Sequence, residues 1–357
     1  MTEQSAASTR PPAASSAAPA RVTSADIARI AGVSVSAVSL AFNGRPGIGD
    51  ATRQRILDVA RDLNWRPLRA ARALKGAANE AVGLVIARPA RTLGVEPFFA
   101  HILSGLQSRL SHDGIALQLL IVEDTAAEIA TYRRWAAEHR VDGLVLLDLV
   151  VDDPRPAVVA ELGVPAVMLG GHGEDGPVSS VWVDDHAAMA HVLEYLAALG
   201  HRDLGHVSGV AEFQHTRRRL DAVAEHAPDL GVTVRSIPTD FSDAQGAAAT
   251  RRLLMSRPRP TAIVYDSDVM AVAGLAVAAE MGVRVPQDVS VLSFDDSTLT
   301  EMTHPSVTAL ARDTYELGAL TAAELLRVVA EPGVVRHVQG ATPELVVRGS
   351  TAPPAAP

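Results

Sequence analysis

Thr23-Ser-Ala-Asp-Ile-Ala-Arg-Ile-Ala-Gly-Val-Ser-Val-Ser-Ala-Val-Ser-Leu-Ala-Phe42 is the stretch on which the fold turns. Ile27, Ala28, Ile30 and Ala31 recur at helical spacing, Gly32 breaks the pattern, and Val35, Val38 and Ala41 or Phe42 resume it after a three-residue turn. Thr23 or Ser24 can accept an orphan N–H at the start of the first helix, and Ser34 can do so for the second. Two short helices therefore cross, and the second carries Ser34, Ser36, Ala37 and Ser39 away from its apolar stripe, which suits insertion into a major groove. A plain helical hairpin with a solvated serine face is the competing reading of this segment.

The next residues favour the DNA-binding reading. Asp50 to Leu63 is a third amphipathic helix with Ile56, Leu57, Val59, Ala60 and Leu63 inward, ended by Asn64-Trp65-Arg66-Pro67. Leu68 to Lys75 is helix-capable but too short to stand alone in water, so it orders only on a partner. Charge divides along the chain in the same sense. The formal net charge is −9, yet ten basic against four acidic residues between 21 and 77 give +6, the first twenty residues are neutral, and −15 is left for the rest. A basic head on an acidic body fits phosphate contact.

Val22-Thr-Ser-Ala-Asp-Ile-Ala-Arg-Ile-Ala-Gly-Val-Ser, Asn43-Gly, Thr52-Arg, Leu63-Asn-Trp-Arg-Pro and Ala71 to Leu74 together resemble the LacI/GalR family of bacterial repressors. The resemblance implies that Ser34, Ser39, Asn43 and Thr52 hold phosphates and that Val35, Ser36 and Leu40 face base edges. It also implies that Leu74 wedges into the minor groove, with Thr23, Arg69 and Ala71 completing the contact set. Position 40 departs from the pattern: many relatives carry arginine there, which reads guanine bidentately, whereas Leu40 offers apolar contact only.

The 357 residues, 48% hydrophobic and 20% charged, are enough for two or three domains with sizeable cores. No uninterrupted apolar run reaches membrane-spanning length, and the Ala/Ser/Pro-rich first twenty residues lack the apolar segment of a secretory signal. The absence of cysteine excludes disulfides and thiolate metal sites and fits a cytoplasmic protein, which as a DNA binder is expected with the nucleoid.

From Ala81-Val-Gly-Leu-Val-Ile-Ala87 onward, strands and helices alternate in two tandem series, the second beginning at Ser180-Val-Trp-Val-Asp184. Repeated β-α units predict parallel sheets with helices on both faces. The expected fold class is an N-terminal all-α helix-turn-helix head plus an α/β, periplasmic-binding-protein-like body of two parallel-sheet subdomains. The expected division is a disordered tail (1–20), head (21–66), hinge helix and linker (67–79), a first subdomain (80–175 with about 306–331), a second (176–300 with about 332–350) and a tail (351–357). Following the family, three crossings between subdomains fall near 172–178, 297–306 and 332–342.

Ligands in such sheets bind beyond the carboxyl ends of the strands. Phe98, Phe99, Arg219, Phe241, Ser267, Asp268 and Asp295 follow those ends, and the family resemblance puts Arg219, Asp268 and Asp295 foremost. Carboxylates and a guanidinium bond several hydroxyls while aromatic faces stack on a ring, so a sugar is the expected effector. For Asp268 a helix N-cap is the competing role, and Arg88 reads as a rim residue.

Enzyme-like signals fall away on inspection. Gly171-His-Gly-Glu-Asp-Gly176 has dinucleotide-loop spacing but is followed by Pro177 and a strand where a helix is required. His186/His191 and His201/His206 are spaced five apart, which suits surface histidines and no zinc-binding helix, and no nucleophile elbow or phosphate loop exists. No cofactor or metal is expected. A solute-binding protein or sugar-acting enzyme sharing the body fold is the rival, but it would need an export signal or a catalytic constellation. The expectation is a homodimeric repressor of a sugar uptake or catabolism operon, binding double-stranded operator DNA and a small effector and no membrane. Thr351-Ala-Pro-Pro-Ala-Ala-Pro357 cannot form a tetramerising leucine-heptad helix.

Overall fold

The computed structural model describes residues 22–43, 45–65, 79–89, 94, 96–171 and 176–355. The chain divides into two compact units, Met1–Ala77 and Ala78–Pro357.

In the first unit, α1 (Ser24–Ala31), α2 (Val35–Phe42) and α3 (Asp50–Asp62) close a small core of Ile27, Ala28, Ala31, Val38, Ala41, Ile56 and Ala60. Thr23 and Asp26 form a reciprocal capping box, satisfying donors that a helix start leaves unpaired. Gly32 ends α1 at φ +65°, a conformation costly for any side chain, and α2 leaves at 101° to α1. Trp65 meets Phe42 edge to face at 5.4 Å, sealing the three-helix core from below. The apolar stripe is narrower than its spacing suggests. Ile30 and Val35 are each 49% exposed and Leu63 is 37% exposed, because eight-residue helices around so small a core bury only about one residue per turn.

In the second unit, β1 (Ala81–Ala87), α4 (Pro97–His112), β2 (Ala116–Val122), α5 (Thr125–Ala137), β3 (Gly143–Leu146), α6 (Arg155–Leu162), β4 (Ala166–Leu169) and β5 (Ser179–Trp182) come first. There follow α7 (Asp185–Ala198), β6 (Asp203–Ser208), α8 (Gln214–Asp229), β7 (Thr233–Pro238), α9 (Asp243–Leu254), β8 (Ala262–Tyr265), α10 (Asp268–Glu280), β9 (Ser290–Ser293) and α11 (Thr298–Met302). The order closes with β10 (Thr308–Ala311), α12 (Thr314–Ala330), β11 (His337–Gln339) and β12 (Glu344–Val346). One six-stranded sheet runs β11-β5-β4-β3-β1-β2 and the other β12-β10-β9-β8-β6-β7; the pairings are parallel except β10 with β12.

Both faces of each sheet are covered, which is why the strands read as continuous apolar runs. On the first sheet, Val82, Leu84 and Ile86 pack beneath α4 and α12, while Val85, Leu144 and Leu146 meet Tyr132 and Trp135 of α5 on the other face. On the second, Val207, Ile263 and Val291 pack under α9 and α10, and Leu204, Val264 and Leu292 under α7 and α8. The crossing of α4 and α12 is close enough that a Cβ on Gly105 would sit 1.9 Å from the Tyr315 carbonyl oxygen and one on Gly318 2.4 Å from that of Ile102. That contact fixes the start of α4, where Phe98 and Phe99 lie, against the start of α12, just past Arg312.

Sheet membership departs from the sequence expectation. Ser179–Trp182 pairs with β4 and so finishes the first sheet instead of opening the second series. Thr308–Ala311 pairs with β9 in the second sheet, whereas 306–331 was expected in the first subdomain; only α12 of that span joins the first lobe. His337–Gln339 returns to the first sheet beside β5. The three passages between sheets thus fall after Trp182, after Ala311 and after Gln339.

Candidate functional site

The space between the carboxyl ends of the two sheets is a pocket lined by charged side chains set among aromatic and aliphatic ones. Its walls follow strand ends in turn: Arg88 after β1, Asp148 after β3, Asp185 after β5, Asp266 and Ser267 after β8, Asp295 after β9 and Arg312 after β10. Parallel strands bring all their C-terminal loops to one edge, so residues far apart in sequence converge there.

Three guanidinium groups organise the floor. Arg219, 1% exposed on α8, donates to Asp185 Oδ1 at 2.8 Å, lies 3.2 Å from Asp266 Oδ1, and stacks over the Phe294 ring at 3.8 Å. Asp266 also takes the Gly209 N–H at 2.9 Å and faces His206 Nε2 at 3.1 Å. Burial alone would raise the Asp266 carboxyl, but Arg219 and His206 hold it far below the usual carboxylate range. Asp185 is likewise held low against burial by Arg219 and Arg312. Arg312 donates through Nε to Asp295 at 3.0 Å and its guanidinium lies 5.3 Å from the Phe98 ring.

Arg88 contradicts its sequence reading as a rim residue. It is 7% exposed, donates to Asp148 at 2.8 Å, and sits over the rings of Phe213 at 4.5 Å and Phe241 at 5.1 Å. An arginine of the first sheet thereby rests on aromatic rings of the second. Asp148 adopts φ +51°, and buried Arg155 holds the segment by donating to the carbonyls of Leu147 and Asp148 at 3.0 and 2.8 Å. Phe241 has φ +69°, a strained value for an aromatic residue, and its ring lies so close to Gly209 that a Cβ there would sit 1.9 Å away.

Two groups of the pocket, one buried and one half-buried, have no charged partner of their own. Glu96 is 7% exposed, its Oε1 makes no hydrogen bond, and burial pushes its carboxyl up to about 8 although Arg88 pulls the other way. His215, with its ring 5.9 Å from that of Phe241, is pushed down to about 4 by burial and by Arg219. At neutral pH both are uncharged, so Glu96 can donate a hydrogen bond and His215 can donate or accept.

Of the residues expected from sequence, Phe98, Phe99, Arg219, Phe241, Ser267 and Asp295 meet in this pocket. Asp268 lies in an adjoining recess with Phe98, His101, Asp295 and Arg312, where burial and Asp295 raise its carboxyl to about 6. The N-cap of α10 is Ser267, whose hydroxyl accepts from Met270 N, and not Asp268. Asp148, Asp185, His215, Asp266 and Arg312 were not anticipated, although the strand-end rule that found Asp295 applies equally to most of them. His201 and His206, expected at the surface, are each 1% exposed and bonded to Thr261 and to Asp266 and Ser236.

In the helical unit, Ser34 caps α2 by accepting from Ala37 N at 3.2 Å, and its hydroxyl lies 2.8 Å from that of Ser36. Ser34, Val35 and Ser36 are all exposed at the start of α2, where a helix presents N–H groups to an anion. Asn43 is exposed and its Nδ2 donates to the Ser39 carbonyl and hydroxyl at 2.6 and 3.2 Å. Leu40 and Thr52 are half-buried, and Thr23 is engaged in the α1 capping box. Arg69, Ala71 and Leu74 lie outside the described residues, as does most of the expected hinge.

A capped helix-turn-helix in one unit and a two-sheet body with a charge-lined interlobe pocket in the other define a ligand-responsive DNA-binding regulator. Residues 23–67 match the lacI family of bacterial regulatory proteins, and residues 193–351 match a periplasmic binding protein-like domain. The transcriptional regulator CelR of Thermobifida fusca is 33% identical over 82% of this chain and 87% of its own length. Among solved structures, a CelR–cellobiose complex superposes with a TM-score of 0.70 at 30% identity over 92% of this chain and 100% of that one. The lac repressor dimer bound to operator and the anti-inducer ONPF does so with 0.80 at 25% identity, over 93% of this chain and 99% of that one. The chain belongs to the LacI family, and these relatives are regulators of transcription.

Proposed function

We propose that this regulator is a repressor of a sugar uptake or catabolism operon, whose affinity for operator DNA is switched by a neutral sugar held between the two sheets. The observation that carries the reading is the charge balance of the pocket. Arg88, Arg219 and Arg312 each already have a carboxylate partner, the four carboxylates Asp148, Asp185, Asp266 and Asp295 outnumber them, and the adjoining Asp268 adds a further acid without a matching cation, while Glu96 stays uncharged. Such a site repels phosphate and carboxylate ligands and offers many acceptors to hydroxyl groups, with the partly exposed Phe98 as a face for stacking. The relative solved with cellobiose supports the same class of ligand.

DNA contact falls to α2 and its start, where Val35, Ser36 and Leu40 meet base edges and Ser34, Ser39, Asn43 and Thr52 meet phosphates, joined by Thr23, Arg69, Ala71 and Leu74. One such head covers a half-site, so two chains act on a pseudo-palindromic operator with half-sites about one DNA turn apart; the lac repressor solved as a dimer on its operator supports that arrangement. Action on DNA places the protein in the cytoplasm with the nucleoid.

The test is a thermal-shift panel of neutral mono- and disaccharides, their phosphates and nucleobases, followed by operator-binding anisotropy with the hit. A ligand at 100 times its dissociation constant should stabilise the body by about 2.7 kcal/mol. A neutral sugar that raises the melting temperature and releases operator supports the proposal. Stabilisation by sugar phosphates or nucleobases alone would overturn it.

A further inference from the structure

On the outer side of the second sheet, α7 and α8 bring together three side chains that neither the pocket nor the DNA-contact set uses. His186 follows Asp185 in the first turn of α7, and Glu225 and His226 lie in the last turn and a half of α8. His186 Nε2 is 3.1 Å from Glu225 Oε2, and the rings of His186 and His226 meet at 5.4 Å with 65° between their planes. One ligand-capable atom from each of the three lies within 4.8 Å of the other two.

We propose that His186, Glu225 and His226 form a site for a divalent transition-metal ion. Two imidazoles and one carboxylate are the three-protein-ligand set that zinc accepts while leaving a coordination position for water. Donor atoms around a tetrahedral ion at about 2.1 Å are about 3.4 Å apart, so a trio already within 4.8 Å has little more than 1 Å to close on one centre. His226 and His186 are half-buried and Glu225 is exposed, which leaves an entry path for the ion. The nitrogen-rich set selects Zn²⁺, Co²⁺, Ni²⁺ or Cu²⁺ over Mg²⁺ and Ca²⁺, which prefer all-oxygen ligands.

The backbone beneath is firm. Ala188, Met189 and Val192 of α7 pack with Ala222 and Ala227 of α8 in one apolar cluster, so the helix pair presents the ligands from fixed positions. Position gives the site its consequence. The same two helices hold the pocket pair Asp185–Arg219, and a bound ion ties the turn carrying Asp185 to the far end of the helix carrying Arg219. Occupancy stiffens that wall of the pocket.

The experiment titrates the untagged full chain with Co²⁺, followed by its visible d–d absorption, and then displaces it with Zn²⁺. The expected result is one ion per chain with the intense spectrum of tetrahedral or five-coordinate cobalt, and a Zn²⁺-dependent rise in melting temperature. His186→Ala and His226→Ala should each weaken binding by at least about tenfold, the scale lost even on removal of outer-shell partners. His304→Ala, at an exposed histidine elsewhere, should bind as wild type does. Metal-free melting and far-UV circular dichroism establish that the variants fold. Absence of a one-to-one site in the wild type, a weak octahedral spectrum only, or binding indifferent to both α7 and α8 histidines would overturn the proposal.

Discussion

Arg219 gives the most demanding test of the pocket as built. It is 1% exposed and faces two carboxylates, Asp185 at 2.8 Å and Asp266 at 3.2 Å, both themselves buried. Arg219→Ala removes the cation and leaves two charges in the interior, with His206 facing Asp266 and Arg312 3.8 Å from Asp185 to compensate in part. Breaking a buried pair from one side costs about 3–5 kcal/mol. For a body of this size each kcal/mol lowers the melting temperature by about 2–4 °C, so a loss of roughly 6–20 °C follows. The geometry therefore expects both the fold and the effector response to suffer from this one substitution.

A pH series separates the cause from a simple cavity. The Asp266 carboxyl is depressed in the folded state, so its stabilisation is present above the unfolded value near 3.9 and is lost as pH falls toward its lower folded value. The gap between wild type and Arg219→Ala should therefore be widest near pH 7 and narrow below pH 4. Adding Asp185→Asn and Asp266→Asn to Arg219→Ala should recover part of the loss, since no buried charge is then stranded. Urea unfolding of wild type, Arg219→Ala and the triple variant measures this directly. A single-variant loss under 1 kcal/mol at pH 7, or a gap independent of pH, would refute the electrostatic account.

Three further outcomes are expected. Glu96→Gln should stabilise the ligand-free body at pH 8.5 but not at pH 4.5, because a carboxyl raised to about 8 folds at a growing cost as pH climbs through the window between its unfolded value and 8; parallel melting curves at both pH values would contradict this. Gly209→Ala should push the Phe241 ring from its place and weaken effector binding at least tenfold while operator binding in its absence stays near wild type, as read by calorimetry and anisotropy. Ser34→Ala should lower the stability of the three-helix unit by about 1 kcal/mol through loss of the α2 cap and weaken binding to operator and random duplex alike, because a phosphate contact carries no sequence information; a loss confined to operator would contradict the assigned role.

How far the sequence could be read depended on the range of the interaction behind each feature. Helices α1 to α3 announce themselves locally through caps, a glycine turn and apolar spacing, and each lies within a residue or two of its expected place. Strand β5 was also recognised, yet its sheet was not, because Ser179–Trp182 looks the same whether its neighbour is β4 or β6; only long-range pairing decides. The same limit hid the return of β11 and misplaced β10. In the pocket, strand-end position found Asp295 and Ser267, but nothing local marks Arg88 as buried. Its burial depends on Phe213 and Phe241, more than a hundred residues away, meeting it from the other sheet. That coupling also bears on mechanism. A guanidinium of one lobe seated on rings of the other, and Arg312 of the crossing segment pairing with Asp295 of the second, tie the two lobes together at the pocket. A ligand competing for those groups changes the balance between lobes as it binds, and this supplies the differential interaction that any effector needs in order to shift a conformational equilibrium.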